Sequence, residues 1–261
     1  LLNLKEIKEV IVANKLDNIT KLKKFIKKSV DIFDVSTLSM IIELSNSKRQ
    51  SNSAYFTNKY IIQDIFENLP KFENQNISIL EPSVGSGNFL PFIFRFYADK
   101  NKVELTVVDV DKNSIDLLKI LYSQERIPKN FNLKFVCADY MSYKHKPVDL
   151  IIGNPPFTKI KGSYRNDLLK DNYNKKSTNL AEFILEKSVN NSKFVSLIMP
   201  KNLLNTPEYD GTRKFLLSYG IDSIIDFGEN GFKGVLIETI NIIINTKISS
   251  KFTKIISTTM K

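Results

Sequence analysis

From Asn76 onward, short runs rich in β-branched and aliphatic residues alternate with stretches whose apolar positions recur every three or four residues. The runs are Ile77–Leu80, Val103–Val108, Leu133–Cys137, Val148–Ile152, Phe194–Met199, Ile221–Phe227 and Val235–Asn245. Apolar runs separated by helical patterns predict buried strands joined by helical crossovers, hence a mostly parallel sheet with helices on both faces. The last two runs are divided only by the glycine-rich stretch Gly228 to Gly234. That is too short for a helical crossover, so these strands are expected to pair as an antiparallel hairpin at one sheet edge. The fold class predicted is α/β: a doubly wound, mostly parallel, seven-stranded, Rossmann-like sheet.

Ahead of the sheet, Leu4, Ile7, Val10 and Ile11, then Leu22, Phe25 and Ile26, stand at helical spacing among lysines. This predicts amphipathic helices in an N-terminal extension, residues 1–52, with residues 53–261 forming the sheet domain. The lysine-rich face reads either as solvated surface or as a contact for a polyanion. Thr158 to Ser177 holds Lys159, Lys161, Arg165, Lys170 and two tyrosines, with little apolar periodicity. A long mobile loop is expected there, and loops of that length in a compact domain are often functional.

Composition narrows the chemistry. Lys and Arg number 38 against 28 Asp and Glu, a formal net charge of +10, which suits a polyanionic partner. A coding bias toward Lys, Ile and Asn would give the same excess. One cysteine, Cys137, allows no intramolecular disulfide, and with one histidine, His145, a Cys/His zinc site lacks ligands. No metal is therefore expected. No apolar run is long enough to span a bilayer, and the charged, periodic N-terminus does not fit a secretory signal, so a cytoplasmic protein without membrane contact is expected. The start at Leu1 suggests a fragment of something longer.

Four strand ends carry candidate chemistry. Ile77 to Glu81 leads into Pro82-Ser83-Val84-Gly85-Ser86-Gly87, a carboxylate and a Gly-x-Gly turn opening a helix at the carboxyl end of a strand, where open α/β sheets bind ligands. Nicotinamide-type sites also use Gly-x-Gly, but Asn88-Phe89 stands where their fingerprint continues toward a third glycine. Asp109 follows the next strand and is placed for the hydroxyls of a ribose, whereas Asp111 is read as the N-cap of the helix after it. Asp139, in Cys137-Ala138-Asp139-Tyr140, is placed to accept a hydrogen bond from an adenine amino group. The fourth strand ends in Gly153-Asn154-Pro155-Pro156-Phe157. Two prolines stiffen this turn and remove backbone donors, so the Asn154 side-chain oxygen and the Pro155 carbonyl offer acceptors to an NH₂ group while Phe157 offers a face for stacking.

This set resembles the amino-group DNA methyltransferases of the adenine-N6 type, over about Ser53 to Thr246. Tyr55-Phe56-Thr57 is similar to their methionine-side cofactor motif, Glu81 to Gly87 to their glycine loop, Asp109 and Asp139 to their ribose and adenine contacts, and Asn154-Pro155-Pro156-Phe157 to their catalytic tetrapeptide. The motif order, cofactor first, resembles the gamma subgroup. The resemblance implies S-adenosylmethionine as cofactor, contacted by Tyr55, Phe56, Thr57, Glu81, Pro82, Gly85, Gly87, Asp109, Val110, Asp139, Tyr140 and Asn154. It implies catalysis by Asn154, Pro155, Pro156 and Phe157. Phe232 is implied as a second stacking face for the base, and Lys159, Lys161, Arg165 and Lys170 are candidate phosphate contacts.

Double-stranded DNA is the expected partner, with a target base flipped out of the helix and a place in a restriction–modification system. Two departures stand out. Glu81-Pro82-Ser83 replaces the family's frequent Asp-Pro-Ala, and the target-recognition domain usual after the last strand is expected to be absent here, or supplied by a C-terminal part or a partner such as a restriction subunit. Three alternatives remain open from sequence: an RNA adenine or protein glutamine substrate, N4 of cytosine, and a non-catalytic subunit that keeps the fold. Intact Gly85, Gly87, Asn154 and Pro155 argue against the last.

Overall fold

The computed structural model describes residues 2–46, 57, 59–123, 126–229, 237–248 and 252–258. Eight strands among these form one sheet: β1 Asn76–Glu81, β2 Lys102–Asp109, β3 Phe131–Cys137, β4 Val148–Gly153, β5 Ser192–Pro200, β6 Gly220–Gly228, β7 Thr239–Asn245 and β8 Lys254–Ser257, in the order β3-β2-β1-β4-β5-β7-β6-β8. β1 pairs in parallel with both β2 and β4, so the chain reverses its winding direction between β1 and β4. That reversal is the place where a doubly wound sheet opens a crevice beyond its carboxyl edge.

The nine α-helices of the described residues are α1 Leu4–Asn14, α2 Ile19–Ser29, α3 Val35–Ser45, α4 Lys59–Asn68, α5 Leu90–Phe96, α6 Lys112–Leu121, α7 Gly162–Asp171, α8 Leu180–Asn190 and α9 Asp210–Leu216. Polar residues start several of them where the sequence demands a cap. Asn3 and Glu6 form a capping box on α1, Asn179 and Glu182 another on α8, and Asp34 caps α3. Strand side chains alternate between the two layers: Ile79, Leu150 and Ile152 join a core with α3 to α6, whereas Leu80 and Ile151 join one with α8 and α9. The N-terminal helices share the first core. Ile7, Leu22, Ile26, Leu38 and Ile41 are buried in it, and Lys23 on α2 forms an ion pair with Asp116 on α6 at 2.8 Å.

Two expectations need correction, and a third is refined. The sheet has eight strands, because Lys254–Ser257 adds in parallel beside β6. This strand is short and mostly exposed, so it left no apolar run to read. The predicted antiparallel hairpin forms, with β7 lying between β5 and β6. Its Ile240, Ile242, Ile243 and Ile244 are buried on both faces, the mark of an interior strand. Finally, the expected mobile loop contains α7 and is tied down after it. α7 buries no residue, so it has no apolar stripe to betray it.

The anchors behind α7 are polar and buried. Asn174 donates to the Glu182 carboxylate at 3.2 Å, the Glu208 carbonyl at 2.9 Å and the Thr212 hydroxyl at 3.0 Å. The backbone amides of Tyr173 and Asn174 donate to Glu186. The described part of the segment before α4 contributes Thr57, which is buried.

One buried carboxylate ties the first half of the sheet to the second. Asp149, at the start of β4, accepts from the Ser78 amide and hydroxyl of β1, each at 2.8 Å, and from Lys193 of β5 at 2.7 Å. Burial opposes its ionisation, but the bonds from Lys193 and Ser78 outweigh it and hold Asp149 below its ordinary pKa. A lowered folded-state pKa contributes stability that is present above the unfolded value near 4 and lost as pH falls through the folded one. Asp149→Asn should therefore lower stability by about 1–3 kcal/mol at pH 7. Urea denaturation at pH 7 and again below pH 4 should show this difference shrinking in acid.

Candidate active site

The carboxyl ends of β3, β2, β1 and β4 lie side by side, and each delivers a polar side chain to the same edge. After β1 the chain turns through Gly85 and Gly87 with φ of +54° and +79°, a left-handed backbone that favours glycine. At Gly87 a Cβ would also stand 2.7 Å from Leu118 Cδ2 on α6, so the loop packs directly on that helix. The loop is fastened to β2: Val84 N–H donates to the Val108 carbonyl at 2.9 Å, and Gly85 N–H donates to Asp109 Oδ2 at 2.8 Å. Asp109 Oδ1 accepts from Asp111 N–H at 2.8 Å. Asp111 in turn caps α6, accepting from Asn113 N–H at 3.0 Å, as its position predicted.

Glu81, buried, and Asp109, half-buried, are neighbouring acids. Glu81 is 1% exposed, and its Oε2 has no hydrogen-bond partner among the described residues. Burial, then the Asp109 charge, pushes the Glu81 pKa well up. Asp109 is also raised, by burial working against the bonds from Asp111 and Gly85.

These residues line a cavity of about 350 Å³ together with Thr57, Pro82, Val110, Asp139, Tyr140, Asn154 and Pro156. Five acids, Glu43, Glu81, Asp109, Asp111 and Asp139, face it, with no basic side chain among the described lining residues. Val110 is 71% exposed and Ile184 of α8 lines the same cavity, so apolar faces accompany the carboxylates.

Asp139 is half-buried with both oxygens engaged: Oδ1 accepts from Met141 N–H at 2.9 Å and Oδ2 from the Tyr164 hydroxyl of α7 at 2.8 Å. Tyr140 is buried, its ring under the Lys187 ammonium at 4.7 Å. Lys187 donates to the carbonyls of Tyr140, Met141 and Tyr143, which fixes the turn after β3.

The turn after β4 is fixed as firmly. The Asn154 carboxamide nitrogen donates to Thr57 Oγ1 at 3.1 Å, and its backbone carbonyl accepts from Ser83 Oγ at 3.1 Å. Thr57, the glycine loop and the Asn-Pro-Pro-Phe turn thus meet at Asn154. Pro155 is buried, and Phe157 is partly buried against both cores, its carbonyl accepting from Asn179 at 3.4 Å.

The predicted site residues fall into three groups. Thr57, Glu81, Pro82, Gly85, Asp109, Val110, Asp139, Tyr140, Asn154 and Pro156 line one cavity, with Gly87, Pro155 and Phe157 flanking it in sequence. Lys159, Lys161 and Arg165 line a second, shallow depression with Ile160, Gly162 and Thr178. Arg165 there donates to the Ser177 carbonyl at 2.8 Å, whereas Lys170 is outside it, paired with Asp167 at 2.7 Å. Tyr55, Phe56 and Phe232 lie outside the described residues. The sequence reading missed Ile42, Glu43 and Asn46, which α3 and its C-cap bring to the cavity. Glu43 left a signal, being the sole charged residue in Val35–Ser45.

With β7 antiparallel between β5 and β6, the sheet has the fold of class I S-adenosylmethionine-dependent methyltransferases. Solved structures agree. A Listeria monocytogenes protein assigned to the class I S-adenosylmethionine-dependent methyltransferases superposes with TM-score 0.67 at 18% identity, covering 87% of this chain and 74% of that one. The methyltransferase subunit of a type I restriction-modification system from Streptococcus thermophilus gives TM-score 0.66 at 18% identity, over 88% and 54%.

Residues 12–232 match the Eco57I restriction-modification methylase family, and the chain belongs to that family. Among curated relatives, the type II methyltransferase M.VspI of Vibrio sp. (strain 343) is 27% identical over 209 residues, 77% of this chain and 50% of the relative. The chain thus spans about half the length of that relative.

The buried Glu81 is held at a cost that substitution should expose. A carboxyl with raised folded-state pKa retains a proton that the unfolded chain releases, so its contribution to stability falls as pH rises from about 4.3. Glu81→Gln is expected to raise the melting temperature of the ligand-free protein by about 2–4 °C at pH 7. Calorimetric scans should show a smaller gain at pH 5 than at pH 7.

Proposed function

We propose that this chain is the catalytic part of a DNA methyltransferase that uses S-adenosylmethionine to methylate N6 of adenine, as the modification activity of a restriction–modification system. The observation that carries this reading is the meeting of Asn154 with Thr57 and the glycine loop on the same cavity as Glu81, Asp109 and Asp139. Family membership and the named activity of the Vibrio relative point the same way.

The residues present fit the cofactor. Glu81 Oε2, buried and without a partner among the described residues, suits the ammonium of its methionine part. Asp109 would hold the ribose hydroxyls. Asp139 would receive the adenine amino group, sharing its outward oxygen with Tyr164 or giving up that bond. Val110 and Ile184 would cover the faces of the purine. An acidic cavity also matches a ligand that is net cationic through its sulfonium. When bound, S-adenosylmethionine supplies an activated methyl group to a nucleophile placed in line.

The remaining work falls to the turn after β4. An aromatic amine is a poor nucleophile because its lone pair is delocalised into the ring. Thr57 fixes the nitrogen end of the Asn154 carboxamide and so orients its oxygen, which with the Pro155 carbonyl accepts from the target NH₂ and draws that nitrogen toward tetrahedral geometry. The effect is positioning and electrostatic stabilisation, with no covalent enzyme intermediate. A base within a duplex must be flipped out, at a cost of a few kcal/mol, and stacked on Phe157. Phe232 is the proposed second face. Lys159, Lys161 and Arg165, gathered in one depression next to this turn, are the proposed phosphate contacts.

The deciding assay is tritiated methyl transfer by the full-length protein to unmethylated duplex DNA, with nucleoside analysis and bulk RNA in parallel. N6-methyladenine from DNA is the expected product. N4-methylcytosine, or labelling of RNA alone, would reject the substrate assignment, and binding of S-adenosylmethionine without transfer to either polymer would point to a protein amide. Asn154→Ala should lower transfer by about 10²–10³-fold while calorimetry shows cofactor affinity retained. Replacing Lys159, Lys161 and Arg165 by Gln should reduce the slope of log K for duplex DNA against log salt by about 0.9 for each phosphate that these side chains neutralise, as read by fluorescence anisotropy.

A further inference from the structure

α3 carries Glu43 as its sole charged residue, and its C-terminal end reaches the glycine loop. Glu43 is 9% exposed, and its Oε2 accepts a hydrogen bond from Ser86 Oγ at 2.9 Å, a contact between groups 43 residues apart in sequence. Placing a carboxylate there is unfavourable unless the contact returns something, because a buried charge loses its hydration. Ser86 lies between Gly85 and Gly87, whose backbones carry the fewest intrinsic conformational limits. The backbone fastenings of this part of the loop run to β2 and within the loop itself: Val84 to Val108, Gly85 to Asp109, Gly87 to Val84. The Glu43–Ser86 bond adds a side-chain fastening, and it comes from the opposite wall. α3 is itself seated by packing on α6 and, through the neighbouring α2, by the Lys23–Asp116 pair.

We propose that Glu43 is a cofactor-positioning residue: through Ser86 it holds the glycine loop in its receiving shape, which makes the N-terminal helical unit a working wall of the cofactor site. This rests on the assignment of the cavity to S-adenosylmethionine. Glu43 acts through the loop and not on the transferring methyl group, so its removal weakens cofactor binding and leaves the chemical step largely intact. The charge is not what the loop needs; an acceptor at that position is, so a carboxamide should serve.

The test is calorimetric titration of S-adenosylmethionine, with KM and kcat for methyl transfer, on full-length wild type, Glu43→Ala, Glu43→Gln, Ser86→Ala and the Glu43→Ala/Ser86→Ala double variant. Each single alanine variant is expected to weaken binding about tenfold, as for loss of one intramolecular hydrogen bond. The loss should fall on KM, with kcat changed by less than about threefold. The double variant should bind no more weakly than either single one, because both remove the same bond, and Glu43→Gln should remain within about threefold of wild type.

Unchanged affinity in Ser86→Ala, additive losses in the double variant, or a tenfold loss in Glu43→Gln would each overturn the proposal. Ser86→Ala and Glu43→Gln decide the matter even if Glu43→Ala does not fold. Wild-type protein that binds no S-adenosylmethionine would instead overturn the assignment of the cavity itself.

Discussion

The carboxyl edge of this protein depends on how one carboxylate, Asp109, is bonded. Its two oxygens receive the Gly85 and Asp111 amides, so one side chain fixes both the glycine loop after β1 and the entry to α6. Those bonds favour its charge, while burial and the Asp111 charge oppose it. The sheet supplies the rest: with β4 beside β1, Asn154 arrives next to the glycine loop without any long-range folding device.

The same arrangement explains why the cavity is poorly optimised for the empty protein. A buried acid, Glu81, stands beside the half-buried Asp109, and one Glu81 carboxylate oxygen lacks a partner among the described residues. In a structural core such a pair would be replaced by apolar side chains at little or no loss of stability. It makes physical sense where a cationic ligand completes it, and stability is then traded for function. The tightly satisfied polar cluster around Asn174, Glu182 and Glu186 is the contrasting case, since its acids meet amides and hydroxyls and hold α7 and its following turn against α8.

Much of this was legible in the sequence because the signals were local. Each of the seven apolar runs contains a strand, the last over Thr239–Asn245, and the acids that end β1 and β2 or follow β3, with Asn154 after β4, reach a common edge because parallel strands in register bring their ends together. Signals that depend on tertiary pairing were lost. β7 reads as a hairpin partner of β6, and only its burial on both faces shows that it enters the sheet beside β5. α7 has no apolar stripe because it covers the site through polar bonds such as Tyr164 to Asp139. Glu43 belongs to a helix that reads as core, and its partner Ser86 is identifiable only once α3 is seated. Lone charged residues in apolar helices are the sequence feature that would have pointed to it.

The central claim is that the carboxyl-edge cavity holds S-adenosylmethionine in one orientation, with its methyl group presented to the Asn154 turn. A crystal structure of the full-length protein with the bound cofactor tests this directly. The account predicts the ammonium against Glu81, the ribose hydroxyls on Asp109, the purine between Val110 and Ile184, and the sulfonium methyl facing Asn154. A cofactor bound elsewhere, or bound here with its methyl directed away from Asn154, would contradict it.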